Sequence, residues 1–430
     1  MPPKLNDKKT IFGWAIFDWA NSAYALVVST AVFPPFFSSL APEKMDVFGQ
    51  QIDNTSVYSF SVAFAYLLVA LFTPFLSGIA DYGGRRASFL KFFTLLGSLS
   101  CISLFFFNSP QMAWLGIIAF VLGTVGFGGG IVFYNSYLPE IVSEDRMDAV
   151  SAKGFAYGYI GSVLLLVIIL VIINFSEVLG ITDASLPPRI GFVLVGIWWI
   201  GFASITFKIL PKDNPIPVTK EFVFKGLDEV KQVFFEIKDK LNIVKFLMSY
   251  FFFIAGVNVV IYLATIFAEE ELGFETDDLI MLVLLLQFLA MVGAYLFAFL
   301  SSKIGNKISL LIQLAIWIVI CFAAYLVQGS ASFYILALFV GLVFGGIQSL
   351  SRSTYSKMLS DDIEGLASYF SFYDVLTKLA IVSGTFVFGI VNQITGNMRY
   401  SILSTAVFFV LGFIILMTLK TDKQTSAQKE

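Results

Sequence analysis

Asp18, Asp374 and Lys378 are ionisable residues set inside runs of apolar sequence. An ion at the centre of a bilayer costs about 2.5–3.5 kcal/mol on insertion scales, so a charge kept there is either functional or neutralised by a partner. Asp18 lies a few residues into the first apolar run. Lys378 lies about nine residues into the eleventh, or roughly 14 Å at 1.5 Å per residue. Asp374 precedes it by one turn on the same face. Two arrangements are open. Asp18 and Lys378, entering from one side at similar depth in different halves of the chain, can bridge those halves. Alternatively Asp374 neutralises Lys378 locally, and Asp18 is a helix-end ion near the headgroups. The chain has no histidine, so proton chemistry at membrane depth falls to a carboxylate, Asp18 or Asp374, with desolvation favouring its protonated form. Sodium coupling would call for several oxygens and backbone carbonyls, and uniport also stays open. Asn21, Tyr24, Asn135, Tyr157, Asn258, Gln287, Gln313 and Gln348 add neutral polar groups at or near the same depth. Asn21 and Tyr24 share a face with Asp18 at three-residue steps.

The elements that carry these groups follow from composition. The chain is 58% hydrophobic and 13% charged, unlike a soluble globular mixture. Twelve runs are long enough for a hydrocarbon core of about 30 Å: 13–38, 57–79, 88–107, 111–135, 153–174, 190–210, 243–268, 278–300, 307–328, 331–350, 368–392 and 399–419. Backbone in lipid must satisfy its own hydrogen bonds, so each is expected to be a helix. Cations collect on alternate connections, among them Lys8, Lys9, Arg85, Arg86, Arg146, Lys153, Lys303, Lys307, Arg352 and Lys357, with eight lysines from Lys208 to Lys245. The other side holds Lys44, Arg189, Arg399 and the acidic loop 268–278. The bias places both termini inside. The first run is read as a retained helix rather than a cleaved signal. Cys101 and Cys321 lie within spans, which argues against a disulfide framework. Asn54-Thr55-Ser56 matches a glycosylation sequon by chance.

The chain reads as two halves. Gly78-Ile-Ala-Asp81-Tyr-Gly-Gly84-Arg85-Arg86 separates the second and third runs, and a degraded echo, Ser301-Ser302-Lys303-Ile304-Gly305-Asn306-Lys307, separates the eighth and ninth. A shift of 217 positions lays Phe127-Gly128-Gly129 on Phe344-Gly345-Gly346, Ser151 on Ser368 and Phe155 on Phe372. Such faint self-similarity is what parallel repeats leave behind. The division expected is 1–210, a polar linker 211–242, and 243–430. In the linker Val223, Leu227, Val230, Phe234, Ile237 and Leu241 recur at helical spacing, which predicts an amphipathic surface helix acting as a tether. Glycines crowd the fourth and tenth runs, where they permit close packing or bending. Pro34-Pro35 breaks or ends the first run.

The paired-cation turn, placed after the second span of each half, resembles the signature loop of the major facilitator superfamily. Trp14-Ala-Ile-Phe-Asp18-Trp19-Ala20-Asn21-Ser22-Ala23-Tyr24 resembles the opening motif of its vacuole effluxer, autophagy-related branch, called "unknown major facilitator" in bacteria. Ser151-Ala-Lys153-Gly154-Phe155-Ala-Tyr-Gly158-Tyr159, Gly345-Gly346-Ile-Gln348-Ser-Leu-Ser351-Arg352-Ser353 and Phe370-Ser-Phe372-Tyr373 with Lys378 extend the likeness over nearly the whole chain. Departures are Ser77 and Tyr82 in the first loop, Ser302 in place of the acid in the second, and Ser371 and Thr377 in the eleventh span. The resemblance implies an all-α membrane protein of twelve helices in two six-helix halves. It also implies alternating access and export of a small solute, with neutral amino acids suggested by fungal relatives. Spans one, four, seven and ten of that superfamily line the central cavity, which makes Asn21, Asn135, Asn258 and Gln348 expected substrate contacts. Asp81 is expected to accept bonds from a neighbouring helix N-terminus. Gly84 forms the turn, and Arg85 and Arg86 pair with acids such as Glu140 or Asp145. Arg352 completes the gating set; the second loop's role is open, as is a purely topogenic role for Arg85 and Arg86.

A polytopic membrane enzyme is the rival class, but no metal-ligand spacing, nucleophile motif or phosphate loop is present in the sequence. A transport-inactive receptor or scaffold on the same fold is a third. The reading adopted is a monomeric carrier in a bacterial inner membrane, with a small-molecule substrate, lipid and protons as partners. It takes no cofactor, metal or nucleic acid.

Overall fold

The computed structural model describes residues 4–178, 180–217, 222–359 and 365–420. The first span starts at α1 (Lys8–Ala23), where the Asp7 carboxylate accepts from the Thr10 amide at 2.8 Å. It continues through a π-helical stretch, Tyr24–Val32, into α2 (Phe33–Leu40), with Pro34 and Pro35 in its first turn. Proline is tolerated there because first-turn amides lack helical partners anyway. A small hairpin follows, β1 (Lys44–Val47) and β2 (Gln50–Asp53), paired Val47 to Gln50 across Phe48-Gly49. Phe48 and Gly49 take φ of 52° and 83°, the double positive φ of a tight hairpin turn. Asn54 then opens α3 (Asn54–Gly83), its amide donating to the Ser38 and Ala41 carbonyls. The sequon asparagine is thus buried in a structural role.

The remaining helices are α4 (Arg86–Ser103), α5 (Ala113–Asn135), α6 (Leu138–Ile141), α7 (Glu144–Asn174), α8 (Leu186–Ile209), α9 (Phe222–Asp239), α10 (Leu241–Leu272), α11 (Thr276–Ile304), α12 (Asn306–Leu326), α13 (Ser330–Met358), α14 (Leu366–Thr395) and α15 (Met398–Met417). Among the described residues twelve helical segments are long and apolar enough to cross a membrane, as expected. Their apolar side chains, such as Phe64, Leu71 and Phe72 on α3, stand exposed on the outside, where a lipid solvent makes exposure costless.

Two spans start or end well beyond the apolar runs. α7 begins at Glu144 rather than 153, and α13 reaches Met358 rather than 350. The added turns are polar, so hydropathy misses them; they stay helical because their polar groups find partners.

The helices group into two compact units. One comprises Met1–Tyr137, Tyr157–Val230 and Glu364–Ser371; the other comprises Leu138–Ala156, Lys231–Ile363 and Phe372–Glu430. In the first, α4 packs along α5 and α8, α1 on α8, and α3 on α5. In the second, α11 runs along α13, and α15 packs on α10 and α12. Close approach uses the glycines: a Cβ on Gly126 of α5 would lie 2.5 Å from the Gly97 nitrogen of α4. The start of α7 belongs with α11–α13, and the first turn of α14 belongs with α3, because their polar groups are satisfied there.

The linker helix α9 shows the face that periodicity selects in part: Ile237 is buried and Leu227 and Val230 are half-buried, while Leu241 falls in α10. Gly226 and Val233 are also buried, whereas Phe234 is 51% and Leu241 61% exposed. The glycine is invisible to a hydrophobic count. The side chain of Val223 lies outside the described residues.

Candidate functional site

In the first unit Asp18 is 7% exposed and accepts a 2.7 Å bond from the Tyr134 hydroxyl of α5. Tyr134 is fixed by stacking on Trp14, with ring centroids 4.6 Å apart, and on Phe17 at 4.9 Å. The Trp14 indole in turn donates to the Tyr134 carbonyl at 3.1 Å. Helical spacing therefore puts Trp14, Asp18 and Asn21 on the α5 side of α1, with the acid held by a clamped phenol. Asn21 is 1% exposed, and its side-chain oxygen has no hydrogen-bond partner. Such an orphan acceptor costs free energy unless a ligand or water satisfies it. Tyr24, one turn on, is already satisfied: its hydroxyl meets Thr124 at 2.7 Å and the Phe120 carbonyl at 3.1 Å. Asn135 is buried next to Tyr134. Sequence reasoning passed over Tyr134; its neighbour Asn135 drew attention as an amide, but a phenol among aromatics gave no signal.

In the second unit Lys378 and Asp374 are both buried, and the ammonium lies 2.9 Å from Oδ1. The one-turn spacing of Asp374 and Lys378 thus makes an ion pair. Asp374 Oδ2 has no hydrogen-bond partner. Beside the pair runs a column of rings, with Tyr250 on Tyr373 at 4.2 Å and Tyr373 on Tyr355 at 5.1 Å. Asn258 spends its amide N–H on the Ile254 carbonyl of its own helix at 2.8 Å. Gln348 is half-buried on α13.

The signature loop is a helix stop and a receptor at once. Gly84 takes φ 58°, and the Arg85 amide returns to the Ala80 carbonyl at 2.8 Å, closing the end of α3 as left-handed glycine caps do. Asp81 accepts from two backbone amides in the first turn of α14, Ser368 at 2.7 Å and Ala367 at 3.3 Å. A carboxylate on a helix N-terminus also meets the positive end of its dipole. Arg86 lies over the Tyr137 ring at 5.2 Å, and Arg85 donates to the Ile216 carbonyl of the linker at 3.2 Å. Of the acids expected beside them, Asp145 accepts from Ser143. Asp213 of the linker caps α4 from afar, accepting from the Ala87 and Ser88 amides at 2.7 and 2.8 Å.

Arg352 is 4% exposed. Its Nε and Nη2 donate to the hydroxyl and carbonyl of Ser151, and its guanidinium lies 4.1 Å from the Phe155 ring centre. Both partners come from the N-terminal part of α7.

The sequence profile of a family described as "Vacuole effluxer Atg22 like" matches residues 6–429. The chain belongs to this family. The MFS-type transporter YxiO of Bacillus subtilis is 30% identical over 97% of this chain and 96% of its own length. Autophagy-related protein 22-1 of Aspergillus clavatus is 25% identical over 88% of this chain and 76% of that protein. Two solved structures share the fold. The transporter FucP, crystallised in the outward conformation, superposes with a TM-score of 0.72 at 14% identity, covering 96% of this chain and 100% of that one. The proton:xylose symporter XylE gives 0.70 at 14%, covering 98% of each. This effluxer-family chain is thus an integral, multi-pass membrane protein with the major facilitator fold, and a transporter by kinship.

Proposed function

We propose that the chain exports a small neutral solute, a neutral amino acid first, by alternating access coupled to protons. The observation that carries this reading is Asp18, a buried acid held by Tyr134 one turn from the orphan oxygen of Asn21. An ionised Asp18 accepts from Tyr134 and can draw the ammonium of a substrate, while Asn21 offers an acceptor beside it. Protonation removes the charge, weakens both contacts and releases the ligand. The Asp374–Lys378 pair is the second charged element, its free carboxylate oxygen open to a substrate donor. Asn135, Asn258 and Gln348 complete the neutral contacts of the cavity. Asp81, Gly84, Arg85, Arg86 and Arg352 form the gate that holds helix starts in place between strokes. The halves 1–210 and 243–430 are the moving bodies, joined by 211–242. Both termini face the cytoplasm of a bacterial inner membrane, and a monomer suffices. The family's description as an effluxer, and its autophagy-related fungal members, support export over import.

The test is release of preloaded radiolabelled leucine, isoleucine and tyrosine from proteoliposomes, with and without a pH gradient. Gradient-sensitive release is expected. Release no faster than from protein-free liposomes, with inserted and folded protein, overturns the amino-acid assignment.

A further inference from the structure

The second copy of the loop, Ser301–Lys307, lacks the acid of the first, and the reading above gives it no task. The missing charge is supplied by another segment. Asp148, in the early turns of α7, is 5% exposed and reaches this loop. Its Oδ2 accepts from Ser301 Oγ and from Lys357 Nζ, each at 2.7 Å. Its Oδ1 accepts from Asn306 Nδ2 at 2.8 Å. Asn306 is oriented in turn, accepting from Lys357 at 2.9 Å and donating to Thr354 at 3.0 Å. One turn on, Ser151 donates to the Ser349 carbonyl at 2.8 Å and receives Arg352. The start of α7 is therefore bonded to α11, α12 and α13 together.

We propose that the second loop is a working latch with the polarity of the first reversed. In the first, the loop helix α3 carries the acid (Asp81) and the incoming helix α14 donates backbone N–H groups. In the second, the incoming helix α7 carries the acid (Asp148), and the loop and α13 donate side-chain groups. The loop's own cations are engaged elsewhere. Lys307 donates to the Met417 and Leu419 carbonyls at the end of α15, and Lys303 lies 5.6 Å from the Phe299 ring centre. Ser302, at the position of the lost acid, turns back to the Phe299 carbonyl. Opening the second latch means separating an ion pair whose acid is buried, whereas opening the first breaks two hydrogen bonds from backbone N–H groups to a carboxylate. Asp148 and Lys357 are thus positioning residues for the conformational cycle, and the proposal rests on the alternating-access reading.

The test is a cysteine at Ala152, which is fully buried against Ala294 and Ala298 of α11. The full-length Ala152→Cys chain in nanodiscs is treated with a membrane-impermeant maleimide, and the rate is corrected for the parent chain. Asp148→Asn and Lys357→Met are each expected to raise labelling at least tenfold. The double variant should be no faster than either, because one interaction is being removed twice. Ser302→Ala should leave the rate unchanged. Unchanged labelling in both single variants, or additive effects in the double, overturns the proposal. Should Asp148→Asn not fold, Asn306→Ala removes one donor and keeps the ion pair; a threefold rise is expected, and none overturns it equally. The readout needs no substrate, so failure of the transport assignment and failure of the latch show separately.

Discussion

Tyr134 donates its phenolic hydrogen to Asp18 across the α1–α5 contact at 2.7 Å, from a ring pinned between Trp14 and Phe17. The acid cannot change charge without affecting that bond. Asp18→Asn keeps the shape and removes the titration. Gradient-driven efflux from proteoliposomes should fall at least tenfold in this variant, while its remaining flux becomes indifferent to an imposed pH gradient. Tyr134→Phe removes a donor from the Asp18 carboxylate and should slow gradient-driven efflux several-fold while keeping its sensitivity to the gradient. Wild-type gradient-driven efflux in Asp18→Asn assigns the proton to another group.

Lys378 and Asp374 form a buried i,i+4 ion pair. Removing one member of such a pair strands the other, at a cost of about 3–5 kcal/mol. Lys378→Met alone should therefore lower the melting temperature more than Lys378→Met with Asp374→Asn, although the double variant changes more atoms. A thiol-reactive fluorophore reads this melt directly, because both Cys101 and Cys321 are buried in the fold. A double variant less stable than the single would show that the charges do not depend on one another.

Twelve spans and the first signature turn were legible because apolar runs and Gly-Gly-Arg-Arg spacing are local signals, and the second turn because its glycine and lysines fall at the same place in its half. The intramembrane charges were legible for the same reason: an ion in an apolar run stands out by cost alone. Asp148, Ser301 and Lys357 were not, since they sit among ordinary polar residues at the ends of spans. Only the folded chain shows that an acid absent at Ser302 is supplied from α7. Tyr134 was hidden by abundance, one aromatic among many. The face of α9 was legible only in part: Ile237 is buried as its spacing predicts, but Gly226, whose value lies in having no side chain, gave no signal.

Asp213 caps α4 from a segment more than a hundred residues away, accepting from the Ala87 and Ser88 amides. A carboxylate or amide oxygen at a helix start contributes about 1 kcal/mol over alanine. Asp213→Ala should cost about that much in thermal melts, and Asp213→Asn clearly less, since it keeps an acceptor. Equal losses would mean that charge, rather than hydrogen bonding, is what α4 requires.

Gly226 of the linker helix lies against α3 at the signature loop. A Cβ added there would stand 2.9 Å from both the Cα and the nitrogen of Ile79, and one on Gly78 would strike the Gly226 carbonyl. Backbone cannot yield as a side chain can, so Gly226→Leu must lift α9 away from α3. Lysines 225, 231 and 238 on α9 then become sites of trypsin cleavage. Digestion of the intact transporter in nanodiscs should run several-fold faster for Gly226→Leu than for wild type, with the first cut in α9. Phe235→Leu, a change on the exposed face of the same helix, should digest at the wild-type rate. Equal rates for Gly226→Leu and wild type would show that α9 is not held to the loop by this contact, leaving the linker a tether as its sequence first read.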